Sequence, residues 1–232
     1  MIVEIREDSD SVAVITEKNG RKFRKEITVD SFIEGVIAAK SIKKTDFEPI
    51  FGEMYIKKRD MELIQTIQTS ESGYIYIIKK EASKMPLAFS KEVFYEEIGF
   101  PSLLFAIKTF NNRFIAVYVV AIKSGIDVNN DTDLYCYPFS NVSNNTSSSN
   151  RMCIGANRID LNYKNRNNLF NTIDFIFSMP NNMDYYNKNN NSKKLDFGEL
   201  CAYLNNKSFE DSLLVSRNMK YNQWIKNVIE KF

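Results

Sequence analysis

The sequence contains no histidine. That absence removes Ser-His-Asp triads, Cys-His dyads and imidazole-ligated zinc sites together. Cysteine is scarce: Cys136, Cys153 and Cys201 are the only three. An odd, sparse set suits a reducing compartment better than a disulfide framework, and its wide spacing does not resemble a zinc clamp. No G-x-G-x-x-G and no Walker sequence occurs, which excludes the familiar phosphate-cradling loops. The longest uncharged apolar run, Phe114 to Ile122, has nine residues and is too short to span a bilayer. An excess of one charge is missing too, with 31 basic against 29 acidic residues. No field follows that would make nucleic acid or a membrane the default partner. The opening Met1-Ile2-Val3-Glu4-Ile5-Arg6-Glu7-Asp8 carries acids where a signal peptide would be apolar, so a cytoplasmic protein is expected. Matches to Asn-x-Ser/Thr, such as Asn141-Val142-Ser143, then carry no meaning as glycosylation sites.

What is present is aromatic: 17 Phe and 12 Tyr in 232 residues, enough apolar bulk for one large core. The pattern predicts an α+β chain in a single domain, 1–232, with residues 1–60 as an N-terminal extension and 61–232 as the core. Val12 to Ile15 and Phe23 to Val29 flank Asn19-Gly20, a strong hairpin signal. Asp30 or Ser31 can cap a helix, with Glu34 completing a capping box to Ser31, and its apolar face is Phe32, Ile33, Val36, Ile37 and Ala39. The basic stretches Arg21 to Lys25, Lys43-Lys44 and Lys57 to Arg59 are interrupted by acids and read as solvated faces. Residues 61–69 fit helix or strand. Tyr74 to Ile78 is β-branched and aromatic, as strands are. Leu103 to Phe110, the turn Asn111-Asn112, and Arg113 to Lys123 form a second hairpin whose apolar second arm belongs in the centre of a sheet.

Beyond residue 124 asparagine and serine accumulate, and their competition for backbone hydrogen bonds predicts loops from Asp127 to Asn150. Asn181 to Lys194 is expected to be the most mobile stretch. Helices are predicted over Asn168–Met179, Asp196–Asn205 and Asp211–Lys231. The last carries a stripe of Leu213, Leu214, Met219, Trp224, Ile225, Val228 and Ile229.

Cys153 is the candidate centre. It follows a long polar loop, adjoins Gly155, and has Arg151 two residues upstream, a cation able to favour the thiolate. Cys136 and Cys201 lie among aromatic and aliphatic neighbours and read as core.

The order and spacing of several pieces carry a resemblance: Pro101-Ser102-Leu103-Leu104-Phe105, Phe114-Ile115-Ala116-Val117-Tyr118, Thr132-Asp133-Leu134-Tyr135, Pro138-Phe139-Ser140-Asn141-Val142, Cys153-Ile154-Gly155-Ala156-Asn157, then Phe175-Ile176-Phe177-Ser178. Over roughly residues 70–180 the chain resembles protein B of the PRTRC system, a prokaryotic ubiquitin-conjugating-like group, family D. The resemblance implies a ubiquitin-conjugating-like fold, an antiparallel β-meander packed with helices. It also implies that Cys153 accepts a ubiquitin-like protein as a thioester from a ThiF-like activating enzyme, with a JAB-type peptidase as a further partner in the same system. No cofactor, metal or membrane is implied, and nucleic acid is not an expected partner. Asn141 stands where the superfamily places the asparagine that supports the oxyanion, with Asn144 and Asn145 as alternatives. Tyr137 stands near the position of a histidine in conventional members, and the Ser/Asn loop lengthens the interval between Asn141 and Cys153. Thiols exchange acyl groups without an imidazole base, so such chemistry suits a chain lacking histidine. A catalytically inactive binding or scaffold module of a plasmid or mobile-element system is the alternative.

Overall fold

The computed structural model describes residues 2–5, 11–18, 21–28, 49–52, 56–89, 93–145 and 150–230. The chain divides into two compact units, residues 1–47 and 48–231. The sequence reading ended its N-terminal extension at residue 60; strands at 50–52 and 56–58 instead belong to the larger unit.

The smaller unit holds an antiparallel three-stranded sheet of β1 (Ile2–Ile5), β2 (Ser11–Lys18) and β3 (Arg21–Thr28). Lys18 pairs with Arg21, so the strands of the expected hairpin are two residues apart, the spacing that Asn-Gly favours. Asn19-Gly20 and the helix expected from Ser31 lie outside the described residues.

The larger unit is built on a sheet of eight strands. These are β4 (Ile50–Gly52), β5 (Ile56–Lys58), β6 (Met61–Gln68), β7 (Gly73–Lys80), β10 (Ser102–Phe110), β11 (Arg113–Ile122), β12 (Asp133–Tyr135) and β13 (Ser216–Lys220), in the order β13-β12-β11-β10-β7-β6-β4 with β5 also on β6. The ambiguous stretch 61–69 is therefore strand. Between β7 and β10 a two-stranded ribbon, β8 (Ser83–Phe89) and β9 (Val93–Phe100), interrupts the meander. Three α-helices follow among the described residues: α1 (Asn167–Ser178), α2 (Phe197–Leu204) and α3 (Tyr221–Glu230). Among the described residues, none is long and apolar enough to cross a membrane. The α+β expectation holds as a mostly antiparallel sheet with helices.

Both faces of the sheet are covered, which explains the unbroken apolar runs of its central strands. Along β10, Leu103, Phe105 and Ile107 enter a first core with α1 and α2, while Leu104 and Ala106 enter a second with α3. Val117, Val119 and Ala121 of β11 repeat the first set, and Tyr118, Val120 and Ile122 the second. On β6 a bulge between Leu63 and Gln65 switches the parity, so Met61 and Leu63 face the first core and Ile67 the second. The predicted helix over Asp211–Lys231 needs correction. A single 3-10 turn at Asp211–Leu213 leads into β13, and helix begins only at Tyr221. Leu213 and Leu214 join the first core, whereas Trp224, Ile225 and Val228 join the second; the supposed single stripe serves two layers.

Candidate functional site

After β12 the backbone leaves the sheet, with the Cys136 N–H donating to the Val215 carbonyl at 2.9 Å. Tyr137 and Phe139 bury themselves in the first core, and the Phe139 ring lies 4.4 Å from that of Phe100. Buried Ser140 donates its hydroxyl to Asn181 Oδ1 at 2.8 Å. Asn141 then turns the chain at φ 66°, a left-handed conformation that asparagine tolerates better than most residues.

Residues 141–143 and 151–153 form a short antiparallel clip. The Cys153 N–H donates to the Asn141 carbonyl at 2.7 Å and the Ser143 N–H to the Arg151 carbonyl at 3.2 Å, on either side of the pair Val142 and Met152. The second arm is zipped to β11: the Val119 N–H donates to Asn150 and the Met152 N–H to Val117, both at 2.9 Å. Val142 and Met152 point into the first core. Cys153 ends the clip exposed, in contrast to half-buried Cys136 and buried Cys201. The two residues nominated from sequence are thus direct hydrogen-bonded neighbours, brought together across the Ser/Asn loop.

Their side chains have different commitments. The Asn141 amide donates to the Pro180 carbonyl at 3.3 Å, and its backbone N–H to the Asp184 carbonyl at 3.1 Å. The Arg151 charge is felt by two residues of the second-core side: burial lowers the Lys108 pKa and Arg151 lowers it further, while burial raises the Tyr118 pKa and Arg151 partly offsets that rise. Burial raises the Cys201 thiol to about 12, as its core assignment requires. Cys136 differs from a plain core residue. Burial raises its thiol, and the adjacent Arg217 guanidinium partly offsets that rise.

The Asn144 side chain is bound on both sides of its amide. Its Oδ1 accepts from the Tyr137 N–H at 3.0 Å and from the buried Asn150 amide at 2.9 Å, while its Nδ2 donates to the Tyr137 carbonyl at 2.8 Å. Arg217 on β13 donates through Nη1 to the Asn144 carbonyl at 2.5 Å. Sequence reasoning missed Arg217, whose partner is 73 residues away; nothing local to either residue signals the pairing.

Beside the clip lies a crevice whose cavity of about 10 Å³ is bounded by Phe100, Asn141, Met152, Phe177 and Met179, room for about one water. On its other side the chain turns at Gly155, φ 59°, where the Asn157 N–H closes onto the Ile154 carbonyl at 3.1 Å. The arrangement offers an accessible thiol on a hydrogen-bonded backbone, a group of the kind through which acyl exchange with a thioester proceeds. Among the described residues no group of three or more Cys, Asp or Glu stands ready for a metal ion. Compared with family models, with curated proteins and with solved structures, the chain has no match in any of the three.

Proposed function

We propose that the larger unit is a ubiquitin-conjugating-like transferase that carries a ubiquitin-like protein as a thioester on Cys153, loaded by a ThiF-like activating enzyme. The observation that carries this reading is the pairing of Cys153, the exposed cysteine, with Asn141 through a 2.7 Å backbone hydrogen bond. An antiparallel meander, a cysteine segment laid beside its last long strand, and helices after it support the reading. In the transfer, the thiolate attacks the activating enzyme's thioester carbonyl, the enzyme's thiolate leaves, and an amine later displaces Cys153. The Asn141 amide donates one N–H to the Pro180 carbonyl, so oxyanion support from it falls to the second N–H of the same amide.

That same bond favours a second reading, a module that keeps the fold and binds partners without catalysis. One experiment separates the two: the protein is mixed with a ThiF-like activating enzyme, its ubiquitin-like protein and ATP, and intact masses are recorded. A reductant-sensitive adduct that disappears in Cys153→Ala supports the transferase. No adduct, with the activating enzyme itself charged, leaves the binding module.

A further inference from the structure

The clip that presents Cys153 has one arm fixed by backbone bonds to β11 and another arm, residues 141–144, whose backbone bonds run to the first arm and to Asp184. What holds that free arm can be read bond by bond. Asn144 occupies both the N–H and the C=O of Tyr137, the residue that anchors the preceding segment in the first core. Its Oδ1 also takes the amide of Asn150, so the last rung of the clip is closed by two side chains where backbone pairing stops. Asn150 is fully buried, and its own carbonyl is bound to Val119 of β11. Arg217 secures the backbone of Asn144 from β13. One side chain therefore joins the free arm, the fixed arm and the core segment.

Building on the transferase reading of Cys153, we propose that Asn144 is the positioning residue of the Cys153 segment. It acts through the clip and touches no reacting atom. A shorter, apolar or purely accepting side chain at 144 leaves a Tyr137 backbone group without its partner, and the free arm shifts relative to β11. Displacements of about 1 Å at a reacting group are enough for rate losses on the order of a hundredfold.

The test is Asn144→Asp, which keeps the size of the side chain and both accepting bonds but puts a carboxylate oxygen against the Tyr137 carbonyl. In the charging assay at about pH 8, the kcat for Cys153 loading falls about tenfold or more while the KM for the charged activating enzyme stays within about twofold. Arg217→Gln, which spares the Asn144 amide, shows a smaller kcat loss at the same KM. It carries the test if Asn144→Asp does not fold, and an unchanged kcat in it then overturns the proposal. Equal kcat for Asn144→Asp, or a KM that rises as kcat falls, also overturns it. If wild-type protein takes no modifier, the transferase reading has failed and N-ethylmaleimide labelling of Cys153 decides the positioning role. A variant-to-wild-type ratio of labelling rates displaced at least about threefold supports it; an undisplaced ratio sinks it.

Discussion

Lys108 shows how one side chain can set the pH response of the molecule. It is buried on β10, with Nζ 3.4 Å from the Val228 carbonyl in the last turn of α3. A helix C-terminus is a favourable place for a cation, yet burial, followed by the charge of Arg151, lowers its pKa to about 7. In the unfolded chain the ordinary lysine value near 10.4 applies. Between these values the unfolded state holds a proton that the folded state lacks, so stability rises with pH from about 7 upward and is flat below. The slope approaches about 1.4 kcal/mol per pH unit. Buried Tyr163, raised to about 12, acts in the opposite sense above pH ~10, where unfolded tyrosine ionises first. Urea melts at intervals from about pH 6 to 9.5 should show the rise in wild type and lose it in Lys108→Met. A wild-type profile as flat as the variant's would refute the assignment. At the same scale, Gly99 has a packing role: a Cβ there would stand 2.4 Å from the Lys207 carbonyl oxygen and 2.7 Å from the Phe209 nitrogen. Both are backbone atoms, so Gly99→Ala is expected to cost about 2–3 kcal/mol, measured by the shift in urea midpoint. Cys153 was legible as a residue because it follows a long polar loop and stands two positions from both Arg151 and Gly155. Gly99 was not, since the backbone it accommodates is more than a hundred positions downstream.

Elements were legible where their own pattern decided them. The helix predicted over Asp196–Asn205 is α2, opened by a capping box of Asp196 with Glu199, and β10 and β11 are apolar because they are covered on both sides. β13 was hidden for the opposite reason. Its residues Ser216-Arg217-Asn218-Met219-Lys220 have neither strand alternation nor strand propensity, and its place is set by pairing with β12. Asn218 sits at φ 52°, within a ladder whose register shifts between Leu134 and Tyr135. A left-handed residue inside a strand marks an irregularity the partner must accommodate. Asn218→Gly should therefore leave stability within about 0.5 kcal/mol, while Asn218→Val should cost about 1–2 kcal/mol. Chemical denaturation of the two variants side by side checks this; equal effects would mean that the left-handed turn is not what asparagine serves there. Asn181–Lys194, expected from composition to be mobile, carries its own anchor. Buried Asn191 donates to the Lys188 and Leu195 carbonyls at 3.0 and 3.1 Å and accepts from the Leu195 N–H at 2.9 Å. Composition counts asparagines; it does not say which of them face inward.

For the larger unit as a whole, the decisive feature is that two cores share one set of strands. The same β10 and β11 send alternate residues to each side, so neither core can dissolve without exposing the reverse face of the strands that build the other. Cooperativity across the sheet follows. The chain carries its own reporters for each layer. Trp224, the single tryptophan, is fully buried in the second core, and Cys201 is fully buried in the first. During urea unfolding, the loss of Trp224 fluorescence and the appearance of a reactive Cys201 thiol should share one midpoint and one slope. Cys153, already exposed in the native state, should label at every urea concentration and give the internal baseline. If Trp224 melted first, α3 would be an appendage lying on the sheet, and its apolar stripe would add little to the stability of the strands beneath. Coincident curves would mean instead that the clip bearing Cys153, tied to β11 on one side and through Arg217 to β13 on the other, is held by both layers at once.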